Sequence, residues 1–287
     1  MIAVKQTVQM LTMIMTLTVI VTLLYEMTNI SPEAQHIRLK RDNLTMKPCH
    51  IEALGSNQQF YEYFRKLEYK CENLMEFGAR PNRKWLSKFV CLDQPFGIRR
   101  DNCTVISFGI NYEWEFEDDM DNYGCVVHAF DPTMRQLDHK RSERTTFHRL
   151  GISNIKGKRN VGMGNDFRYL EVDRYENILR SLDLLNTRID YLKLDVELSE
   201  LEFLQDVLRN SPRLLQNIGQ IGMEVHHGYK GEGLDEKPPR VGSLSPTSTF
   251  PLFWSYFQEL RCHGFKLIHA RPNVPWHEVV WARNDEW

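Results

Sequence analysis

The stretch CTVISFGINYEWEFEDDM, residues 103–120, runs from an apolar segment through a single glycine, Gly109, into an acidic region. Its first seven residues predict a β-strand, and the residues from Trp114 predict a helix that closes at Gly124. Nucleotide-binding folds often begin with such a strand, turn and helix, although the usual glycine repeat is missing here. A glycine at the turn lets a ligand approach the backbone closely, because no Cβ is in the way.

Short apolar runs alternate with helical patterns through the rest of the chain. The further predicted strands are CVVHAFD, TTFHRLGIS, DYLKLDVE, IGQIGMEVHH, FKLIHAR and HEVVWAR. Strands that alternate with helices predict an α/β fold with a mostly parallel sheet and helices on both faces. The last two strands are too close in sequence for a helical crossover, so we expect them to pair antiparallel.

The amino-terminal 27 residues differ in composition from the remainder. An uncharged, largely apolar run of 18 residues extends from Val8 to Tyr25, with Lys5 before it. This length is just sufficient for a transmembrane helix, and the lone cation places its amino end in the cytosol. The alternative is a cleaved signal peptide, but no small-x-small cleavage site follows, so an uncleaved signal anchor over 1–27 is favoured.

Residues 28–82 read as a luminal stem that carries an amphipathic helix over 57–77, and residues 83–287 as the folded domain. The helix is predicted from apolar residues three and four positions apart, among them Phe60, Phe64 and Leu67. A Gly-, Pro- and Ser-rich insertion over 228–249 reads as a substrate lid or a disordered loop.

Six cysteines and three glycosylation sequons, at Asn29, Asn43 and Asn102, agree with a secretory address. None of the cysteines is spaced as CxxC, so a zinc cluster is not expected. Four cysteines are the better disulfide candidates, whereas two read as buried thiols in apolar surroundings. The candidates are Cys49, Cys71, Cys91 and Cys103, and the thiols are Cys125 and Cys262.

The formal net charge of -2 does not indicate the basic surface that nucleic-acid-binding proteins usually have, so no nucleic-acid partner is expected.

In an open parallel sheet, ligands bind beyond the carboxyl ends of the strands. Asp131 ends the second strand, where it can accept two hydrogen bonds from a ribose diol, and this role is favoured over the alternative of an Asx-type turn or helix cap in DPTM. Asp195 and Glu197 end the fourth strand, and Glu224 and His226 end the fifth. These four predict general-base chemistry on a substrate hydroxyl. A divalent metal on Asp195, Glu224 and His226, or merely solvated polar tips, are the alternatives, and no metal site is assigned.

Several blocks of the chain together resemble a known family. The blocks are CTVISFGINYEWEFEDDM, CVVHAFDPTM, FHRLGIS, YLKLDVELSELEFL and MEVHHG, with CLDQPFG upstream and IHARPNVPWHEVVWAR at the end. In this order, over residues 83–287, they look like the methyltransferase-like protein 24 family, a class I S-adenosylmethionine-dependent group related to FkbM-type methyltransferases. The resemblance implies a Rossmann-like sheet of seven strands, the last antiparallel, and S-adenosylmethionine as the methyl donor.

The resemblance also implies roles for individual residues at the strand ends. The donor-binding residues implied are Phe108, Gly109 and Ile110 for the methionine part, Asp131 for the ribose, and Asn165 and Asp166 for the adenine. Asp195 and Glu197 would stand near the transferred methyl, and Glu224 and His226 complete the predicted catalytic set.

The function that the resemblance implies is O-methylation of a hydroxyl, with carbohydrates as candidate acceptors, because FkbM-like relatives often methylate sugars. The expected protein is a single-pass type II membrane protein facing the Golgi or ER lumen, or a secreted one if the amino-terminal segment is cleaved. Its acceptor would be a small molecule or a glycan. The alternative is a catalytically silent interaction protein that keeps the methyltransferase fold.

Overall fold

The computed structural model describes residues 49–83, 86–161, 168–197, 199–227, 246–272 and 276–284. The predicted anchor, Asn29, Asn43, Asn165 and Asp166, together with most of the 228–249 insertion, lie outside these ranges. Within them, no helix is both long and apolar enough to cross a bilayer.

Thirteen strands and five α-helices make up the described chain. The strands are β1 (Leu74–Phe77), β2 (Lys88–Cys91), β3 (Thr104–Phe108), β4 (Val126–Phe130), β5 (His139–Lys140), β6 (Thr145–His148), β7 (Gly151–Ile152), β8 (Gly157–Val161), β9 (Arg168–Asp173), β10 (Ile189–Leu194), β11 (Ile218–Val225), β12 (Phe265–Pro272) and β13 (His277–Arg283). The helices are α1 (Asn57–Tyr63), α2 (Glu115–Asn122), α3 (Tyr175–Ser181), α4 (Glu200–Asn210) and α5 (Pro246–Cys262), with a 3₁₀ helix over Pro212–Asn217.

The central sheet has eight strands in the order β5-β6-β4-β3-β10-β11-β13-β12. Strands β6, β4, β3, β10 and β11 run parallel to one another, whereas β13 is antiparallel to both β11 and β12. The mixed α/β fold and the antiparallel pairing of the last two strands are therefore confirmed. The central sheet has one strand more than the seven expected, because the two-residue β5 adds an antiparallel edge strand beside β6.

Register brings the ends of the central strands together. Phe108 is the Cα partner of Leu194 on one side and of Phe130 on the other. The next residue, Gly109, donates its N–H to the carbonyl of Phe130 at 2.9 Å, and Asp195 donates its N–H to the carbonyl of Phe108 at 3.1 Å. The residues that follow β3, β4 and β10 consequently lie at one edge of the sheet.

The two faces of the sheet are covered by different material. Alternate residues such as Ile106 and Leu192 pack with α1, α3, α4 and α5 in one core. Their neighbours Val105 and Tyr191 pack in a second core with α2 and the β1–β2 hairpin. Successive side chains of a strand point to opposite faces of the sheet, so neighbouring residues of one strand belong to different cores.

The predicted helix over 57–77 is wrong beyond its first two turns. Helix α1 begins after Ser56, whose hydroxyl accepts the N–H of Gln59 at 3.1 Å, and ends at Tyr63. Leu67, placed on the apolar face by the sequence pattern, is 48% exposed. The chain is diverted because Asp93 accepts the N–H groups of residues 72 and 73, and because residues 74–77 pair as a strand with β2.

The compact unit runs from Cys49 to Trp287, so it begins well before the boundary expected at residue 83. Phe60 of α1 is fully buried in the first core. The segment assigned to a stem thus contributes to the folded domain from residue 49 onward.

All six cysteines are paired, as Cys49–Cys262, Cys71–Cys91 and Cys103–Cys125. The interpretation of Cys125 and Cys262 as free thiols is therefore wrong. Cys103 and Cys125 directly precede the register pair Thr104–Val126 of two parallel strands, so their Cα atoms lie only 4.6 Å apart. That proximity depends on strand register, which the local composition did not reveal.

The predicted third strand over 145–153 is divided in two. Its first part, β6, joins the central sheet, and its second part, β7, joins a small three-stranded sheet with the order β7-β9-β8. The sequence analysis missed β8 and β9. This small sheet follows the carboxyl end of β6 and brings Gly151 and Ile152 to the edge where the central strands end.

Removing the longest cross-link should lower stability substantially. Cys49 and Cys262 are separated by 213 residues, and a cross-link over a long loop restricts the unfolded chain most. We expect the double variant Cys49→Ser/Cys262→Ser to lose about 2–5 kcal/mol of unfolding free energy, measured by urea denaturation. A midpoint and slope equal to those of the unmodified protein would contradict this pairing.

Acidification should destabilise the fold through a histidine pair. His128 Nδ1 lies 3.2 Å from His148 Nε2. Burial, and then the charge of His148, lower the pKa of His128 to about 4. Because the unfolded chain binds this proton more readily, the stabilising contribution is complete above about pH 6.5 and is lost as the pH falls toward 4.

Melting temperatures between pH 7 and pH 4.5 measure this effect. The variant His128→Gln should show a smaller decline than the unmodified protein over that window. Equal slopes for the two proteins would refute the assignment, and His50→Gln, at an exposed histidine, is the matched control.

Candidate functional site

A backbone corner after β3 forms the centre of the site. Gly109 has φ +85°, and a Cβ at this position would stand 1.7 Å from the carbonyl oxygen of Asp195. The residue therefore has to be glycine, both for its backbone conformation and for the close approach of the β10 end. Asn111 and Tyr112 also have positive φ, at 45° and 63°, and they turn the chain sharply toward α2.

Lys193 of β10 supports this corner. Its buried ammonium group donates to the carbonyl of Gly109 and lies 3.4 Å from a carboxylate oxygen of Glu117 in α2. Glu117 also accepts the hydroxyl of Ser107 at 2.5 Å. This charged side chain of a buried strand is thus satisfied by one carbonyl and one carboxylate, and it holds the corner against the sheet.

Asp131 lies at the corner as predicted, but its carboxylate is already occupied. One oxygen accepts the N–H groups of Ile110 and Asn111 at 2.9 and 2.8 Å, and the other accepts the N–H and the hydroxyl of Thr133 at 2.7 and 2.5 Å. A carboxylate has about four acceptor positions, so all are in use. Asp131 is 4% exposed, and its hydrogen bonds hold the turn after β3 to the turn after β4. This is the role that the Asx-type alternative describes.

A cavity of about 380 Å³ opens at this edge of the sheet. Its volume lies within the range of about 300–1,000 Å³ for small-molecule sites. The walls combine apolar side chains, among them Phe108, Ile110 and Ile152, with the carboxylates of Asp195 and Glu197. The cavity can therefore hold a ligand that has both an apolar part and a polar or charged part.

A buried lysine from the amino-terminal hairpin reaches the same cavity. Lys88 of β2 is 2% exposed, and its ammonium group contacts Glu224 and lies 2.8 Å from Glu278 and 3.3 Å from Asp195. Burial alone would lower the pKa of Lys88, but the carboxylates of Glu278, Asp195 and Glu224 raise it well above its ordinary value. The lysine is therefore charged and binds three acidic side chains from three different strand ends.

A second acidic group surrounds His226, which is 2% exposed. Its Nδ1 lies 2.8 Å from Glu200, and its Nε2 lies 3.4 Å from Glu197 and 3.6 Å from Glu224. Burial opposes the charged imidazolium, yet the neighbouring carboxylates, Glu200 first, raise the pKa of His226 to about 10. Burial also raises the pKa of Glu197 to about 7, against the opposing charge of His226.

The predicted residues that fall within the described chain do converge. Those that line the cavity are Phe108, Gly109, Ile110, Asp131, Asp195, Glu197 and Glu224. His226 adjoins this set through its contacts with two of the carboxylates. Asn165 and Asp166, expected near an adenine, lie outside the described residues and stay predictions.

Sequence reasoning missed four charged residues of the site: Lys88, Lys193, Glu200 and Glu278. Lys193 had a visible signal, because it interrupts the apolar run YLKL, all of whose positions are buried. Lys88 and Glu278 had none, since they meet only through the fold, 190 residues apart in the chain.

Comparison with known proteins agrees with this architecture. A methyltransferase domain family matches residues 34–280 of the chain. "Probable methyltransferase-like protein 24" of Rattus norvegicus is 29% identical over 226 residues, which is 74% of this chain and 56% of that protein. The protein of the same name from Homo sapiens is 27% identical over 225 residues, with the same two coverages.

These matches confirm the resemblance that the sequence blocks suggested. The chain spans only about half the length of the curated relatives that it matches. No solved structure matches it significantly.

Removing the buried ammonium group should disrupt the acidic cluster. In Lys88→Met the buried carboxylate of Glu278 loses its cation, so we expect a loss of about 3–5 kcal/mol in unfolding free energy, as for other broken buried ion pairs. Lys70→Met is the matched control, because the side chains of Lys70 and of its ion-pair partner Glu72 are both exposed. This pair should make no measurable contribution to the unfolding free energy. Equal denaturation midpoints for the two variants would show that the cluster does not need Lys88.

Proposed function

Because the chain belongs to the methyltransferase domain family, we propose that it transfers a methyl group from S-adenosylmethionine to a hydroxyl group of a small-molecule or carbohydrate acceptor. The observation that carries this proposal is the cavity at the Gly109 corner, where apolar walls meet the carboxylates at the carboxyl ends of β10 and β11. The family supports methyl transfer in general, and the acceptor class is inferred from the chemistry of the site.

The residues present fit such a donor. Phe108, Gly109 and Ile110 offer an apolar surface and exposed backbone for the methionine part. Asp195 and Glu197 offer negative charge to a sulfonium, which is a cation that a water-poor cavity stabilises only with a nearby anion. When bound, S-adenosylmethionine supplies an activated methyl group.

Asp131 can meet a ribose only by exchanging a partner. Its two bonds to backbone N–H groups hold the corner, whereas its bond to the hydroxyl of Thr133 can be given up when that hydroxyl rotates. A ribose hydroxyl would then replace the threonine hydroxyl at the same oxygen.

The remaining catalytic task is to take a proton from the acceptor. As the oxygen of the acceptor forms its bond to the methyl carbon, the hydroxyl proton passes to a carboxylate of the cavity, among Asp195, Glu197 and Glu224. His226 and Lys88 stay close to these carboxylates and balance their negative charge before the proton is transferred.

Localisation in the lumen of the secretory pathway is part of the proposal. Three cysteine pairs within the described residues support an oxidising compartment. The apolar run Val8–Tyr25 supports an anchor in a membrane of the secretory pathway. Such an address would present the cavity to luminal glycans.

One observation favours a second candidate, an interaction protein that has kept the fold without the reaction. All four acceptor positions of Asp131 are used within the protein. If Asp131 served only to hold the turn, no nucleotide would need to bind there, and the protein would fold without affinity for the donor.

Donor binding distinguishes these candidates. S-adenosylhomocysteine at a hundred times its dissociation constant should add about 2.7 kcal/mol of stability and raise the melting temperature by about 5–10 °C. In Asp131→Asn the amide offers one acceptor oxygen in place of two, so the shift should disappear while cooperative unfolding persists.

Asp183→Asn makes the same chemical change at an exposed position in the turn after α3 and should keep the full shift. A cooperatively folded protein that binds neither S-adenosylmethionine nor S-adenosylhomocysteine would favour the interaction protein. Incubation with hydroxyl-bearing glycans and detection of released S-adenosylhomocysteine would then test the acceptor class.

A further inference from the structure

Three side chains at the cavity converge in a way that suits a metal ion. Asp195 and Glu197 follow β10, and His226 follows β11, and one ligand atom from each lies within 4.8 Å of the other two. Within this set, His226 Nε2 lies 3.4 Å from a carboxylate oxygen of Glu197. Donor atoms bound at about 2.0–2.2 Å to one ion stand about 3–3.5 Å apart, so a small inward movement completes the site.

The backbone of Glu197 contributes to this convergence. Glu197 has φ 49°, in the left-handed region that a glutamate rarely adopts. Such strain at a non-glycine residue persists only where the surrounding structure holds it, and it is concentrated at ligand sites. One carboxylate oxygen of Glu197 is buried and accepts no hydrogen bond, although it faces His226.

His226 is oriented as metal-binding histidines are. Its Nδ1 is held by the fully buried Glu200 at 2.8 Å, which leaves Nε2 directed toward Glu197 and Glu224. A carboxylate behind the imidazole determines which nitrogen is available and how the ring is oriented. Glu200 also accepts the N–H of Val196 at 3.2 Å, so the same carboxylate holds the loop between Asp195 and Glu197.

Charge at the site is unbalanced without a further cation. The five carboxylates of the cluster are Asp195, Glu197, Glu200, Glu224 and Glu278. Among the described residues the cations in ion-pair contact with them are Lys88 and His226. Five carboxylates therefore share two cationic groups, one of which, His226, releases its Nε2 proton when it binds a metal, and such an arrangement is costly away from bulk water.

We propose that Asp195, Glu197 and His226 bind one divalent first-row transition-metal ion of the Mn²⁺ or Zn²⁺ type. One imidazole with two carboxylates suits these ions, whereas Mg²⁺ and Ca²⁺ prefer oxygen alone. The set differs from the sequence-based alternative because the ligand atoms of Asp195, Glu197 and His226 are the ones that converge, whereas Glu224 is the carboxylate closest to Lys88. The second group of suitable side chains, around Asp93, is excluded because Cys71 and Cys91 form a disulfide.

The use of this ion rests on the function proposed above. An ion held by three protein ligands would keep further coordination positions, at which the acceptor hydroxyl could bind. A bound cation lowers the pKa of that hydroxyl, and its proton passes to Glu224, whose second oxygen lies 3.6 Å from His226 Nε2. The oxygen then forms its bond to the methyl carbon as the sulfur–carbon bond breaks, and neutral S-adenosylhomocysteine leaves.

Metal titration of the full chain tests the site directly. After removal of metals with a chelator, we expect Mn²⁺ and Zn²⁺ to bind with one-to-one stoichiometry by calorimetry and to raise the melting temperature. Glu197→Gln and His226→Gln should abolish this binding. Glu200→Gln keeps all three ligands but loosens the imidazole, and it should weaken binding about 10–100-fold. Glu143→Gln, at an exposed glutamate, is the matched control and should bind as the unmodified protein does.

The outcomes separate this inference from the proposed function. A folded protein that binds S-adenosylhomocysteine but neither ion would overturn the metal site alone. Binding of metal without any affinity for the donor would support the metal site and contradict the proposed methyltransferase activity. Undiminished binding in Glu197→Gln, with circular dichroism showing a native fold, would also overturn the assignment of ligands.

Discussion

The buried ammonium group of Lys88 holds three carboxylates together that would otherwise repel one another. Asp195, Glu224 and Glu278 come from the ends of β10 and β11 and from β13, and parallel or antiparallel register brings them to one place. Away from bulk water such a group of anions is unstable without a cation in contact. The position of the acidic cavity, and through it the site, therefore depends on this one lysine.

This dependence explains why the amino-terminal segment belongs to the functional unit. Lys88 lies on the β1–β2 hairpin, and the amide of Gln220 in β11 binds both the N–H and the carbonyl of Cys91 in β2. The disulfide from Cys71 holds the same strand. Strand β2 is thus attached to β11 and carries a charge into the cavity, and it holds β1 and Cys71, which belong to the segment that resembled a stem.

The excess of negative charge limits which ligands the cavity can accept. Electrostatic interactions are stronger here than in water, because the effective dielectric constant is lower. A bound sulfonium donor or a bound divalent cation would each reduce the excess. Lys193 and Asp131 contribute differently, since they hold the Gly109 corner in shape through backbone groups.

The sequence by itself determined the alternation of strands and helices, the antiparallel final pair and the polar residues at the strand ends. These depend on local periodicity and on chain order, and parallel strands bring their carboxyl ends to one edge whatever lies between them. Asp195, Glu197, Glu224 and His226 could be selected on that basis alone.

Only the tertiary structure decided the end of α1 at Tyr63, the pairing of Cys125 and Cys262, and the role of Lys88. Each depends on a partner distant in the chain or on strand register, such as Glu278, which lies 190 residues from Lys88. Contacts of this kind leave no period in the local sequence, because the energy that selects them comes from burial and charge pairing in the assembled fold.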